Sequence, residues 1–245
     1  GGRPGPTLAI RADMDALPIQ EQTGLPFAST VPGKMHACGH DIHTSTLLGV
    51  AAVLQGMAPS LSGTVRLLFQ PAEETLYGAP EMIADGAMEG VDAAIGFHNH
   101  PDLPVGHFQY VYGSCLAASD RFDITVAGRS GHAAHPYDAV DPIVAAAHLI
   151  TQLQTVVSRE QKPLHPCVVT VGAIHAGTVH NIIPDACLIR GTVRTLHAPA
   201  QDVAEAAIRR LCAGLDTGMR VRCDVDYVRG VPALVNDAAM LDRTA

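Results

Sequence analysis

The chain has 245 residues, a formal net charge of −8 and a hydrophobic content of 47%. This composition provides enough apolar surface for one large domain or for two domains of ordinary size. Because Lys and Arg together make only 16 residues and form no basic run, we expect no nucleic-acid partner. The apolar runs are short, so we expect no membrane partner, no signal peptide and a cytoplasmic location.

The six cysteines are spaced widely and irregularly. This spacing does not resemble a disulfide framework or a pair of zinc knuckles. Most of them are expected to be small core residues, and Cys38 is the exception because of its neighbours.

The first predicted element is a short buried strand over 7–11, which follows a turn-rich start. Asp13 and Asp15 come just after it. Carboxylates at the carboxyl end of a strand in an α/β sheet stand where ligand sites tend to form. A solvated loop accounts equally well for either aspartate taken alone.

The segment 35–43 contains three histidines, a cysteine and an aspartate within nine residues. One interpretation is a polar turn before a helix, in which Gly39 breaks the preceding segment and Asp41 caps the helix. A metal site is favoured instead, because capping does not require Cys38 and His40 two residues apart. Apolar residues at helical spacing predict a helix over 44–54, with the site at its entrance.

Two more strands deliver polar side chains at their ends. The strand 64–70 precedes Glu73 and Glu74, and the strand 93–97 precedes His98. One of these two adjacent carboxylates could bind a metal while the other accepts a proton. However, Pro71 beside acidic residues is also typical of a helix N-terminus. If the strands are parallel neighbours, their ends converge with the Cys38 loop.

The second half of the chain predicts a compact domain of its own. Strands are expected over 121–127, 167–174, 186–195 and 221–228, and helices over 139–157 and 200–215. The order β-α-β-β-α-β is that of a ferredoxin-like unit.

Seven motifs across the chain resemble, in order, those of the M20 metallopeptidases. The resemblance is to the amidohydrolase branch with hippurate hydrolases, N-acetyl-diaminopimelate deacetylases and plant auxin-conjugate hydrolases. The motifs are RADMDALP at 11–18, MHACGHD at 35–41, QPAEE at 70–74, GFHNHP at 96–101, GHAA at 131–134, NIIP at 181–184 and GTVR at 191–194.

The resemblance implies an α/β fold in which a catalytic α/β sheet domain, incomplete here, carries an inserted ferredoxin-like lid or dimerisation domain. The implied divisions are 1–117 for the catalytic domain, 118–229 for the lid and 230–245 for the return to the catalytic domain. The family's last metal ligand is a histidine near the C-terminus, which this sequence does not reach. A homodimer formed through the lid is expected.

The resemblance also implies a centre of two divalent metal ions, zinc or manganese, with nickel or cobalt as further options. The implied metal ligands are Cys38, His40, Glu74 and His98, and Glu73 is the implied general base that acts on a metal-activated water.

Other residues receive supporting roles. Asp13, Asp15 and Asp41 are expected to orient the ligands by hydrogen bonds, and His36, His43 and His100 are placed with them. The resemblance implies that His132 reaches a neighbouring subunit's active site and stabilises an oxyanion there. Asn181 and Arg194 are the implied substrate contacts.

The expected reaction is hydrolysis of the amide bond of a small N-acyl amino acid, as in aminoacylases and hippurate hydrolases. The sequence favours no particular acyl group. A metal-binding but catalytically silent homologue or fragment is one alternative, and a serine hydrolase that pairs Ser130 with His132 is another, although a nucleophile elbow is absent there.

Overall fold

The structure, a computed structural model, describes residues 1–244. The chain divides into two compact units, Gly1–Phe108 and Gln109–Ala245. Within residues 1–244, every helix is too short or too polar to cross a membrane.

The first unit contains a three-stranded parallel sheet. Its strands lie in the order β2-β1-β3, and Ile10 of β1 stands opposite Leu67 on one side and Ile95 on the other. The carboxyl ends of all three strands therefore share one edge, which confirms the predicted parallel arrangement. In chain order the elements are β1 (Arg3–Asp13), α1 (His40–Met57), β2 (Ser62–Gln70), α2 (Gly78–Ala84) and β3 (Ala93–Gly96).

Helix α1 begins four residues earlier than predicted, because Gly39 allows a sharp turn before His40. Gly39 has a φ of 84°, which favours glycine, and a Cβ there would lie 2.5 Å from the side-chain amide of Asn99. Cys38 therefore lies in the loop, whereas His40 is the first helical residue.

The segment after β2 is a tight turn, so the helix N-terminus at Pro71, which the sequence left open as one of two interpretations, is not formed. Helix α2 begins only at Gly78, where a Cβ would collide with the Pro71 carbonyl oxygen. Ala72 and Leu76 have φ values of 51° and 65°. Positive φ in residues with side chains is uncommon and is found at functional sites, and here the two flank the Glu73–Glu74 pair.

The second unit contains a four-stranded antiparallel sheet in the order β10-β5-β9-β7. Asp141 caps the first of its two long helices by accepting from the backbone N–H groups of Ile143 and Val144. A π-helical turn, Val156–Glu160, follows that helix. In chain order the elements are β4 (Gly113–Leu116), β5 (Ala118–Ala127), β6 (Gly131–His132), α3 (Pro142–Thr155), β7 (Cys167–Ala176), β8 (Ile182–Ile183), β9 (Ala186–Thr195), α4 (Ala198–Met219), β10 (Arg222–Val228), β11 (Leu234–Asn236) and α5 (Ala238–Thr244).

Alternate residues of β5 build the core of this unit. Phe122, Ile124 and Val126 are fully buried against side chains from α3 and α4. Phe122 fits because Gly191 opposite has no side chain, and a Cβ at Gly191 would collide with the Phe122 ring. The predicted β-α-β-β-α-β order of a ferredoxin-like unit is confirmed by β5, α3, β7, β9, α4 and β10.

The division between the units falls at residue 108, earlier than the predicted boundary at 117. Strand β11 pairs antiparallel with β4, so 113–116 and 234–236 lie side by side within the second unit. The assignment of 1–117 and 230–245 to a catalytic domain, and the lid role of 118–229, stay predictions.

Candidate metal centre

The ends of three parallel strands and the start of α1 bring together one cluster in the first unit. Strand β2 leads to Glu73 and Glu74, β3 leads to His98, and the entrance of α1 carries Cys38 and His40. All four implied metal ligands and the implied base therefore stand at the same edge of the sheet.

The spacing of these side chains suits metal ligation. The ligand atoms of Cys38, His40 and His98 lie within 4.8 Å of one another, and so do those of His40, Glu73 and Glu74. Cys38 Sγ lies 3.5 Å from His98 Nε2. Sulfur and nitrogen ligands of one tetrahedral zinc ion stand roughly 3.5 Å apart when zinc–ligand bonds have their usual lengths. His40 Nε2 lies 4.0 Å from Glu74 Oε1.

Hydrogen bonds orient the rings of His40 and His98 so that the Nε2 atom of each faces the cluster. His40 Nδ1 donates to Asp15 Oδ1 at 3.0 Å, and His98 Nδ1 donates to the Asn99 carbonyl oxygen at 2.8 Å. Each Nε2 is then the nitrogen without a proton, as a metal ligand must be. His40 is fully buried, and its Nε2 has no hydrogen-bond partner among the described residues. A buried nitrogen that has no hydrogen-bond partner is well placed to bind a metal ion.

Asp15 holds two of the implied ligands at once. Its second carboxylate oxygen accepts from the backbone N–H of Glu74 at 3.0 Å. Burial alone would raise the pKa of Asp15, but the hydrogen bonds from Glu74 and His40 outweigh it and hold that pKa below its usual value. The carboxylate therefore stays ionised while it positions ligands from two elements.

The electrostatics around Cys38 also fit a cation. Burial, a hydrogen bond with Glu74 and the negative charges of Glu74, Glu73 and Asp13 raise the pKa of Cys38 to about 11. The same carboxylates that disfavour a thiolate favour a divalent ion among them. The donor set of thiol, imidazoles and carboxylates matches zinc by ligand type, and it also allows other first-row divalent ions.

Glu73 has the surroundings of a proton acceptor. It is half-buried, and its pKa is raised first by burial and then by the charges of Asp13 and Glu74. A carboxylate with a raised pKa holds a proton more readily near neutral pH, which suits general acid–base work.

His43 and Asp13 form a second, buried layer behind the ligands. His43 is fully buried, its Nδ1 lies 3.4 Å from Asp13 Oδ2, and its Nε2 accepts from the backbone N–H of Asn99 at 3.2 Å. Its ring also lies 4.6 Å, centroid to centroid, from that of His98. His43 therefore joins the ends of β1 and β3 behind the cluster. Burial first, and then the His98 charge, lower its pKa.

Three residues with predicted supporting roles are not brought to the cluster. Asp41 lies exposed in the first turn of α1, and its carboxylate makes no hydrogen bond within the described chain. His36 is exposed in the preceding loop, and His100 is exposed with Asp102 3.9 Å away. The expectation that these side chains orient metal ligands has no contact to support it.

Two implied site residues of the second unit do lie together. Strand β6 pairs with β8, and the backbone N–H of Ala133 donates to the Asn181 carbonyl oxygen at 3.0 Å. His132 and Asn181 are both exposed. His132 Nδ1 accepts from the backbone N–H of Ala134 at 3.1 Å, so its Nε2 carries the proton and faces outward as a donor.

Arg194 does not join them. It lies near the far end of β9, where its guanidinium donates to the carbonyl oxygen of Asp120 at 3.5 Å. From Ala186 to Arg194 the strand rises through eight residue steps, or roughly 26 Å at the usual rise of a strand. The two implied substrate contacts, Asn181 and Arg194, therefore stand at opposite ends of this unit.

The pairing of Ser130 with His132 that a serine hydrolase needs is not observed in residues 1–244. Ser130 Oγ donates to the Ile183 carbonyl oxygen at 2.8 Å instead. The hydroxyl is part of the backbone connection between β6 and β8, and this argues against the serine-hydrolase alternative.

Comparison with known proteins decides the family. Residues 9–245 match the model of Peptidase family M20/M25/M40. The chain belongs to this family. It is 45% identical to the N-acetyl-L-cysteine deacetylase of Bacillus subtilis over 240 residues, which cover 98% of this chain and 58% of that protein.

Two further relatives belong to the same group. The N-acyl-L-amino acid amidohydrolase of Geobacillus stearothermophilus is 45% identical over 96% of this chain and 64% of its own length. The crystal structure of the YXEP protein of Bacillus subtilis, a dinuclear metal-binding peptidase from the M20 family, superposes with a TM-score of 0.84 and 41% identity. That match covers 99% of this chain and 62% of the other. The chain thus spans about three fifths of the length of these M20 relatives.

Proposed function

We propose that this M20 chain forms part of a metal-dependent hydrolase that cleaves the amide bond of N-acyl amino acids, with Glu73 as the general base. The observation that carries the proposal is the cluster at the three strand ends, in which Cys38, His40, Glu74 and His98 converge beside Glu73. The M20 relatives support the same class of reaction.

Cys38, His40, Glu74 and His98 would hold the metals, which we propose are two zinc or manganese ions, with nickel or cobalt as alternatives. When bound, divalent ions at this position supply Lewis acidity, which makes water a better nucleophile at neutral pH and polarises a carbonyl oxygen. The dinuclear centre named for the YXEP protein supports a pair of ions in this relative.

Glu73 performs the proton transfers in this proposal. It accepts a proton from the attacking water and then delivers that proton to the nitrogen of the leaving amine. Its raised pKa, caused first by burial and then by neighbouring carboxylates, suits a group that must both accept and release a proton. Asp15 keeps His40 and Glu74 in place throughout.

The second unit contributes the remaining contacts in this proposal. His132 presents an Nε2–H that can donate to the oxyanion formed during amide hydrolysis. We place it in the active site of a neighbouring subunit of a homodimer, formed through residues 118–229 acting as a lid. Asn181, which lies beside it, is a proposed substrate contact. Arg194 stands at the opposite end of the unit, so we do not place it on the same small substrate.

The substrate class follows from the relatives. One of them is an N-acetyl-L-cysteine deacetylase and another an N-acyl-L-amino acid amidohydrolase. Small N-acyl amino acids are therefore the proposed substrates. With an aromatic content of 4%, the chain offers few side chains to stack on a benzoyl group, so hippurate is one member of the test panel and is not preferred.

The test is release of free amino acid from a panel of N-acetyl and N-benzoyl amino acids by the natural protein, with Glu73→Gln beside it. We expect the variant to keep its metal and to lose activity by on the order of 10²–10⁴-fold, the usual contribution of a general base. Glu81→Gln is the matched control, because Glu81 is an exposed carboxylate on α2.

A natural protein that binds metal and cleaves no member of the panel would favour a catalytically silent metal-binding homologue. Full activity in Glu73→Gln would show that Glu73 is not the general base. Inhibition by a chelator, together with resistance to a serine-directed reagent, would exclude the serine-hydrolase alternative.

A further inference from the structure

Asn99, just after β3, is held from two sides by residues at the start of α1. Its backbone N–H donates to His43 Nε2 at 3.2 Å. Its side-chain amide packs so closely on Gly39 that a Cβ at Gly39 would lie 2.5 Å from it. The carbonyl oxygen of Asn99 accepts from His98 Nδ1 at 2.8 Å. One residue therefore connects a buried side chain of α1 to a proposed metal ligand.

The direction of these hydrogen bonds determines where both rings carry their protons. A backbone N–H can only donate, so His43 Nε2 accepts and the proton lies on His43 Nδ1, which faces Asp13 Oδ2 at 3.4 Å. A carbonyl oxygen can only accept, so His98 also carries its proton on Nδ1. The Nε2 atom of His98 therefore has no proton, and it lies 3.5 Å from Cys38 Sγ.

A chain of polar groups supports His43 from behind. Asp13 is 1% exposed and forms an ion pair with the guanidinium of Arg11. The Nε atom of Arg11 donates in turn to Gln70 Oε1 at 2.8 Å. The chain thus runs from the end of β2 through β1 to α1. Because the buried Asp13 carboxylate faces the Nδ1–H of His43, it favours the tautomer in which Nε2 is free to accept.

We propose that His43 is a positioning residue for His98. By accepting from the Asn99 N–H, His43 keeps the Asn99 carbonyl oxygen on His98 Nδ1, which leaves His98 Nε2 without a proton and free for a metal ion. His43 thereby supports the metal-dependent hydrolysis proposed above, on which this role rests, although it is not itself a proposed ligand. Without the acceptor, the Asn99 backbone loses its anchor, and the His98 ring can turn or carry its proton on Nε2.

Two amide substitutions separate the two contacts of His43. The terminal amide of Gln reaches the position of Nε2 and can accept from Asn99, whereas the shorter amide of Asn reaches only the position of Nδ1 and faces Asp13. Both substitutions remove the ring, whose centroid lies 4.6 Å from that of His98, so the difference between them isolates the acceptor. His148→Gln is the matched control, because His148 is exposed on α3 in the second unit.

The first readout is zinc affinity, measured in the natural protein and its variants by competition with a chromophoric chelator. We expect His43→Asn to bind zinc roughly 10–100-fold more weakly, the usual effect of losing an outer support of a ligand. His43→Gln and His148→Gln should stay within about threefold of the natural protein. An equal loss of affinity in the two His43 variants would overturn the positioning role.

The second readout needs neither a metal nor a folded variant. Long-range ¹H–¹⁵N NMR spectra of the metal-free natural protein, labelled at histidine and recorded at pH 8, report which nitrogen of each ring carries the proton. We expect Nδ1–H in both His43 and His98, with the two signals assigned by their loss in His43→Gln and His98→Gln. A proton on Nε2 of either ring would overturn the inference. A natural protein that shows both expected tautomers and binds no zinc would instead contradict the proposed function while leaving the His43 contact in place.

Discussion

Asp15 uses one carboxylate to position two proposed metal ligands, His40 through its ring and Glu74 through its backbone. Outer residues of this kind commonly contribute 10–100-fold to metal affinity. Asp41, in contrast, lies exposed on the first turn of α1 without a contact to the ligands in the described structure.

Asp15→Ala is therefore expected to weaken zinc binding by roughly 10–100-fold, because the His40 ring and the Glu74 loop both lose their support. Asp41→Ala is the matched control and should leave the affinity within about threefold, since the side chain at most stabilises the helix N-terminus slightly. Titration with a competing chromophoric chelator measures both. Equal effects of the two substitutions would contradict the geometry.

As a proposed metal ligand, Cys38 should make metal binding depend on pH. Its pKa is raised to about 11, first by burial and then by Glu74, so the free protein carries a neutral thiol at neutral pH. A metal that binds the thiolate must displace this proton. Between pH 7.5 and 9 we expect the apparent zinc affinity to rise about tenfold per pH unit from this group.

Calorimetric titration in buffers of different ionisation enthalpy measures the protons released. Cys38→Ser should bind zinc more weakly and lose the proton that this thiol contributes. If the natural protein and Cys38→Ser release the same number of protons, Cys38 does not bind the metal as a thiolate.

At the scale of elements, the turn 71–77 holds the Glu73–Glu74 pair in place because the backbone at its end packs closely against the backbone at its start. Gly78 N–H donates to the Ala72 carbonyl oxygen at 3.2 Å, and Gly78 has no room for a side chain beside Pro71. Gly49 in α1 provides a comparison, because a methyl group added there would have nothing within 4 Å of it.

Gly78→Ala should lower the free energy of unfolding by roughly 2–4 kcal/mol, because its Cβ collides with a backbone oxygen that cannot move alone. It should also weaken metal binding, since Glu74 belongs to that turn. Gly49→Ala should raise the free energy of unfolding by about 0.5–1 kcal/mol through helix propensity. Denaturant unfolding checks both, and a neutral Gly78→Ala would show that the turn is looser than described.

The pattern of strands and their polar ends was readable in the sequence. Apolar runs that end in Asp, Glu or His predicted both the parallel sheet and the convergence of the cluster. The strands expected over 121–127, 167–174, 186–195 and 221–228 predicted the second sheet. These features depend on local periodicity, which a single sequence carries.

Contacts that depend on helix phase were not readable. With the helix expected at 44, Asp41 could be placed beside His40, but α1 begins at His40 and neighbouring helical residues point about 100° apart. His43, three residues after His40, falls on the same face and is buried behind the ligands. The distance between Asn181 and Arg194 likewise results from the length of β9. Their order in the sequence did not predict that distance.

At the scale of the whole molecule, we place His132 of one subunit in the active site of another. Mixed subunits test this directly. Glu73→Gln and His132→Ala homodimers should each be nearly inactive, and mixing them under subunit exchange should restore up to about a quarter of natural activity, because only one site of each heterodimer is intact. Activity that stays at the level of the separate variants in a verified heterodimer would contradict a contribution across subunits.

The most direct test of the central claim is the metal content of the natural protein after chelation and reconstitution with zinc, measured beside Glu73→Gln and Glu74→Gln. We predict about two ions per chain in the natural protein and in Glu73→Gln, and fewer in Glu74→Gln, because we propose Glu74 as a ligand and Glu73 as the base. A natural protein that binds no zinc, or a Glu73→Gln variant that loses its metal while Glu74→Gln retains it, would contradict that division of roles.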